Sequence, residues 1–296
     1  MKEQNKPLEL DEALAIFDSW ASLRGLSEET IRGYKIDSRQ FAKYISQTVT
    51  TPIYINDISD QHIEEFMHFL VGEKKCSPAT VNRKLNTLKM FFRCMKRKKL
   101  ILEDPVEETE RMKVVEKEMN YLTHQELRKI LNSIDHPTLY YFALTMAYTG
   151  IRVSECKKLK LEDIDFQEHS LKVINGKGGK HRTIPLHLTL SDELVSYLQY
   201  HRPTTNSPYF FALKRSGTVS TQYLNQILRN ASQKAGIRKH ITSHTLRHSF
   251  ASYLAKQNTN IVIIQKLLGH TSLKTTSIYL HVQQDELKEA VGQIKY

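Results

Sequence analysis

Cysteine is scarce in this 296-residue chain, and so are long apolar runs. The three cysteines, Cys76, Cys94 and Cys156, form no CxxC pair, and an odd number does not build a disulfide framework. Reduced thiols in a cytoplasmic protein are the expectation. The polar start, MKEQNKPLELDEA, has no apolar signal-peptide core. The longest apolar stretch, Leu139 to Tyr148, is too short to span a bilayer and includes Thr145. No membrane is expected as a partner. Acid is in deficit as well. The 43 Lys and Arg exceed the 32 Asp and Glu, giving +11 and a pI near 9.4. A polyanion suits such a balance, and nucleic acid is the commonest one. No internal repeat, heptad array or low-complexity tract is visible.

At 40% hydrophobic and 25% charged, the chain has enough apolar residues for a folded core, and its length suits two domains. Residues 1–103 predict helices joined by short loops. Leu10, Leu14, Phe17 and Trp20 share a helical spacing. Ser27 before Glu28 and Glu29 reads as an N-cap with first-turn acids. Ser77-Pro78 opens another helix, whose apolar face is Val81, Leu85, Leu88, Phe92 and Met95. That helix has eight basic residues and no acid from Arg83 to Lys99. Arg83, Arg93 and Arg97 lie opposite its apolar face with Asn82 and Asn86, which predicts a phosphate-contacting surface.

Residues 104–119, DPVEETERMKVVEKEM, read as an exposed linker with a net charge of −3. Residues 120–296 carry 23 basic and 12 acidic residues, so the positive excess resides there. Thr123 to Glu126 forms a T-x-x-E capping box that starts a helix. Further helices are expected at 137–148, 152–158, 189–200, 220–235, 243–256, 260–268 and 272–280. Leu171–Ile174 and Arg182–Leu186 flank Asn175-Gly-Lys-Gly-Gly-Lys180 and read as a β-hairpin. The expected fold is mainly α with a small β element, in two domains: a helical one and a mixed α/β one.

A set of residues in the second domain makes chemical sense only together. Arg152 follows Thr149-Gly150-Ile151, and Glu155 shares its helix face. Lys177 sits at the hairpin tip. His244 and Arg247 stand at i and i+3 in SHTLRHS. His270 follows Leu267-Leu268-Gly269, and Tyr279 comes nine residues later. Such a set suits attack on a phosphodiester. Two guanidiniums can clamp the charge of the pentacoordinate phosphorane without a metal. A tyrosine hydroxyl can attack and leave a covalent phosphotyrosine. A lysine can protonate the departing 5′ oxygen, and histidines can position the phosphate or move the nucleophile's proton.

The chain resembles the tyrosine recombinases, the phage integrase family. The matching pieces are TGIRVSE, GKGGK, HTLRHSFAS and LLGHTSLKTTSIYLH in the second domain, and GLSEETIRGYKIDSRQF in the first. The resemblance implies that residues 1–103 are a helical core-binding domain and 120–296 the catalytic domain. It implies that Arg152 and Arg247 bind the scissile phosphate and that Lys177 is the general acid. His244 would be general base or phosphate ligand, His270 a phosphate hydrogen-bonder and Tyr279 the nucleophile. Glu155 would orient the arginine and histidine. The run Cys156-Lys157-Lys158 departs from the aliphatic residues more usual there, which affects local packing only.

Other functions fit less well. GKGGK lacks the GK[ST] of a P-loop, and His181 stands where G-x-G-x-x-G needs its third glycine. His244 and His248 have a metal-ligand spacing, but Arg247 lies between them and no carboxylate is near. No metal or cofactor is expected, and His248 is expected to pack or bond locally. A metal-dependent nuclease would need clustered carboxylates. A type IB topoisomerase shares the chemistry, and a non-catalytic DNA-binding protein is the third reading; the LGH motif and the first domain favour recombination.

The resemblance also implies the partners: double-stranded DNA with short inverted-repeat core sites, and a tetramer on two such sites. That tetramer is formed with copies of this chain or with a related recombinase. The plan is the compact one of Xer-like and transposon recombinases, with no room for a further N-terminal domain. Integration, cointegrate resolution and dimer resolution all remain open. Leu287, Ala290, Val291 and Ile294 share one face of a terminal helix expected to dock on a neighbouring protomer.

Overall fold

The computed structural model describes residues 7–48, 52–115, 120–174, 181–270 and 272–279, and the side chains of all of these but Lys274. The expected hairpin tip with Lys177 and the expected terminal helix lie outside the described residues. Two compact units are present, Met1–Lys117 and Glu118–Tyr296.

Among the described residues, the first unit holds the α-helices α1 (Leu10–Leu23), α2 (Glu28–Thr48), α3 (Asp60–Gly72) and α4 (Pro78–Arg97). Their starts follow local chemistry. Ser27 Oγ accepts the Thr30 N–H at 3.2 Å, and Ser77 Oγ accepts that of Thr80 at 3.4 Å, with Pro78 in the first turn. The expected apolar face of α4 is buried throughout. It meets an aromatic core in which Phe17 and Phe91 pack edge-to-face at 5.4 Å and Phe41 and Phe66 at 5.2 Å. Burying one such ring contributes about 2–3 kcal/mol.

The segment expected to be an exposed linker is docked on α4 as far as Met112. Val106 is fully buried. Asn82 donates to the Met112 carbonyl at 2.8 Å and accepts the Met112 N–H at 2.9 Å. Lys89 donates to the Thr109 carbonyl at 2.9 Å, and Arg111 to Asn86 Oδ1 at 2.8 Å. Asn82 and Asn86, expected on a phosphate-facing surface, therefore bind this segment.

The second unit is built around α6 (Pro137–Thr149), which is buried on nearly every side. The apolar run too short for a bilayer is this core helix. Around it lie α5 (His124–Asn132), α7 (Val153–Cys156), α8 (Leu188–Ser196), α9 (Thr221–Lys234), α10 (Ser243–Lys256), α11 (Ile261–Leu268) and α12 (Lys274–Ser277). Phe142 packs with Tyr197, Phe210, Phe211, Leu224 and Leu246 in one cluster. The capping box forms: Thr123 N–H donates to Glu126 at 2.8 Å and Glu126 N–H to Thr123 at 3.2 Å. The helix expected over 189–200 ends as an α-helix at Ser196 and continues as a π turn, Tyr197–His201. The helix expected over 272–280 is the single turn α12.

A three-stranded antiparallel sheet, β1 (Ile164–Asp165), β2 (Ser170–Val173) and β3 (Arg182–Pro185), runs in the order β1-β2-β3. Leu171 pairs with Ile184 and Val173 with Arg182, the register of the expected hairpin. β1 is an addition the sequence did not announce. Among the described residues, no helix is long and apolar enough to cross a membrane.

Candidate active site

Two glycines shape the site. Gly150 ends α6 with φ +64°, and a Cβ there would lie 2.3 Å from the Phe250 ring. Gly269 ends α11 with the same φ, and a Cβ there would lie 2.8 Å from Arg182 Nη1. Glycine alone tolerates both the left-handed turn and the close approach. The turn at Gly269 leaves the carbonyls of Leu267, Leu268 and Gly269 pointing out of the C-terminus of α11, where the helix dipole is negative.

Three guanidiniums converge on those carbonyls. Arg182, at the start of β3, donates Nε to Leu267 O at 2.9 Å. Arg247, on α10, donates to Leu268 O at 2.8 Å and to Gly150 O at 2.6 Å. Arg152, preceding α7, donates to Gly269 O at 3.2 Å and reaches Leu268 O at 3.4 Å. Glu155 binds two of the three. It takes Arg182 in a two-bond fork at 3.0 and 2.9 Å, Arg152 Nη1 at 2.9 Å, and the Arg152 N–H at 2.8 Å. Glu155 and Arg247 are both buried. Burial alone would raise the Glu155 carboxyl, but the bonds and charges of Arg182 and Arg152 hold it at about 2. Burial, with Arg152 adding to it, pulls Arg247 down to about 10, so Arg247 still carries its charge at neutral pH. One carboxylate against three guanidiniums leaves a surplus of positive charge.

Around this cluster lie the histidines and the tyrosine. His270 Nδ1 pairs with Thr276 Oγ1 at 2.9 Å. Burial, with Arg247 and Arg152 beside it, pushes His270 down to about 4, so its ring is neutral at pH 7. Tyr279 is buried against Ala251, Ile264 and Leu268. Its hydroxyl lies 2.6 Å from His248 Nδ1. His244 is exposed in the first turn of α10.

Of the residues expected together, Arg152, Glu155, Arg247 and His270 share this cluster, Tyr279 packs beside it, and His244 lies one turn from His248 on the same helix. Lys177 lies outside the described residues. Two site residues went unread in the sequence. Arg182 shows only as a basic residue opening a strand. His248, expected to pack or bond locally, instead reaches a residue 31 positions on.

The basic face of α4 divides. Arg83 forks onto buried Asp37, with Nη2 at 2.9 Å from Oδ1, and Lys84 joins the same carboxylate at 2.9 Å. Arg93 and Arg97 stay exposed. Of the three arginines expected to contact phosphate, Arg83 is thus paired with an acid, while Arg93 and Arg97 have no carboxylate within ion-pair distance among the described residues.

A buried cation surplus next to a tyrosine suits binding and attack of a phosphate diester. Comparison with known proteins points the same way. Residues 120–286 match the phage integrase family, and residues 14–102 match the phage integrase N-terminal SAM-like domain. The chain is 34% identical over 282 residues to tyrosine recombinase XerD of Listeria innocua, covering 91% of this chain and 93% of that one. It is 34% identical over 290 residues to tyrosine recombinase XerA of Pyrococcus furiosus, with 95% and 93% covered. A lambda integrase dimer bound to a COC′ core site has the same fold, at TM-score 0.76 and 21% identity over 90% of this chain and 97% of that one. By sequence match, relatives and fold alike, this chain belongs to the phage integrase family of tyrosine recombinases.

Proposed function

We infer that this chain is a site-specific DNA recombinase, cutting and rejoining strands through a 3′-phosphotyrosyl intermediate and a Holliday junction. The observation that carries this is the surplus of guanidinium charge, held by Glu155 and the end of α11, beside a buried tyrosine. In this reading Arg152 and Arg247 bind the non-bridging oxygens of the scissile phosphate, where charge develops on attack. Tyr279 is the nucleophile, and Lys177 protonates the leaving 5′ oxygen. His270, neutral at pH 7, gives the phosphate a hydrogen bond rather than a charge, and His244 faces it from the first turn of α10. The phosphotyrosine keeps the energy of the broken bond, so rejoining needs no metal or ATP. The partner is double-stranded DNA carrying short inverted-repeat core sites, engaged in the cytoplasm by a tetramer spanning two sites. A type IB topoisomerase would use similar groups, but the relatives named above are recombinases.

The test is a nicked duplex carrying the sequence that this protein selects from random DNA. A covalent adduct should accumulate in EDTA and disappear in Tyr279→Phe. An adduct still formed by that variant would remove Tyr279 from the role.

A further inference from the structure

His248 touches the nucleophile and has no part in the reading above. It stands on α10, one turn beyond His244 and next to Arg247. Its Nδ1 is 2.6 Å from the Tyr279 hydroxyl, with the rings 5.7 Å apart. Among the described residues, His248 is the hydrogen-bond partner of that hydroxyl. His244, one turn earlier, is exposed. Tyr279 is 5% exposed, packed by Ala251, Ile264 and Leu268. A buried phenol cannot give its proton to bulk water, so an acceptor must be in place before attack.

We propose that His248, rather than His244, takes the phenolic proton of Tyr279 as its oxygen attacks the phosphate. This rests on the recombinase reading and adds the step that reading leaves open. The Tyr279 Oη–phosphorus bond forms while the phosphorus–O5′ bond breaks. The phenolic proton passes to His248 Nδ1, and Lys177 supplies a proton to O5′. Rejoining reverses both transfers, so no co-reactant is consumed.

The acceptor must be a neutral imidazole with its own proton on Nε2. The surroundings favour that form. Burial lowers the His248 pKa, and the charges of His244 and Arg247 lower it further. Burial raises the Tyr279 phenol, while Arg247 opposes that rise and stabilises the phenolate as it forms. A hydrogen bond aligned before attack also fixes the phenol oxygen, so His248 both orients and deprotonates it.

The test uses the full chain and the same nicked duplex in EDTA, with adduct formation followed in single turnovers between pH 6 and 10. His248→Asn keeps an amide near the Nδ1 position but cannot take the proton. It should bind the duplex normally and form adduct about 100-fold more slowly at pH 7. The deficit should shrink as pH rises, because hydroxide then replaces the base. A more acidic 3,5-difluorotyrosine at position 279 should restore much of the His248→Asn rate and none of the Arg247→Lys rate. In the DNA-free protein, Tyr279→Phe should move the 15N signal of His248 Nδ1. A deficit constant with pH and untouched by the fluorinated tyrosine makes His248 a packing residue and overturns the proposal. So does rescue that follows His244→Asn instead, or an unmoved 15N signal. If His248→Asn cleaves like the wild type, this proposal alone falls. If the wild type forms no adduct at all, the recombinase reading falls and takes this one with it.

Discussion

Each unit buries one carboxylate among several cations, and the two clusters serve different ends. In the first, Asp37 binds Lys84, Thr87 and Arg83, tying α2 to α4. The Arg83 side chain is 54% exposed, so its outer part meets water even while paired. In the second, Glu155 binds Arg152 and Arg182, whose side chains are only 22% and 13% exposed, and buried Arg247 bonds to main-chain carbonyls rather than to Glu155. The remaining charge is met by main-chain carbonyls at the end of α11, which satisfy donors without neutralising them. A carboxylate in their place would cancel the field that an incoming phosphate needs. The first cluster is a tie between helices. The second holds a surplus of positive charge, which the proposed phosphate contact would balance.

Removing each acid is the hardest blow to this contrast. Glu155→Ala leaves two nearly buried guanidiniums unpaired beside a third and should cost the second unit about 4 kcal/mol. Asp37→Ala strands Lys84 but lets Arg83 turn to water, so the first unit should lose about 3 kcal/mol. Trp20, the single tryptophan, reports on the first unit by fluorescence. Amide exchange along α6 and α10 reports on the second. A loss on the Asp37 side that equals or exceeds the other would break the comparison.

Acid should take the second unit apart in two steps. His270 has a folded pKa of about 4, below its ordinary 6.5, so folding favours its neutral form. That stability is full above pH 6.5 and declines as pH falls to 4, by roughly 2 kcal/mol for a half-buried ring. Glu155, held at about 2, stabilises above its ordinary 4.5 and loses that stability as pH falls through 2, by roughly 3 kcal/mol. Urea midpoints followed against pH should show both windows. His270→Asn should flatten the upper one and Glu155→Gln the lower. Windows that stay put in these variants would assign the acid sensitivity to other groups.

What could be read in advance was whatever short spacing encodes. The Ser77-Pro78 start, the Thr123–Glu126 box and the pairing of β2 with β3 depend on neighbours within a few positions, and all three form. Gly150 and Gly269 stood out in their motifs, but what fills the space beside them, the Phe250 ring and the Arg182 guanidinium, is set by the tertiary fold. Arg182 meets Glu155 across 27 positions and a hairpin, so no local pattern marks it. His248 stands at a local spacing from His244, whereas its hydrogen-bond partner, Tyr279, lies 31 positions on, where no local pattern reaches. The docked segment has no hydropathy signal, because Val106 is its one fully buried apolar side chain and most of its other contacts are polar, through the main chain of Thr109 and Met112 and the side chains of Glu107 and Arg111.

The smallest expected effect gives the finest test of the contrast, and it concerns the face of α4. A side chain that binds a phosphate releases counterions, and removing it lowers the log–log salt slope of DNA binding by roughly one. Arg93 and Arg97 are exposed, so replacing both with alanine should lower the slope by roughly two and weaken binding across sequences alike. Arg83 already gives two N–H groups to Asp37. A phosphate must compete with that carboxylate for a guanidinium whose charge is largely cancelled. Arg83→Ala should therefore change the slope by well under one, and its main effect should be a modest loss of first-unit stability reported by Trp20. A full-unit drop in slope for Arg83→Ala, with Trp20 unfolding unchanged, would mean that the first cluster also lends its charge to DNA. The distinction between helix tie and charge surplus would then collapse.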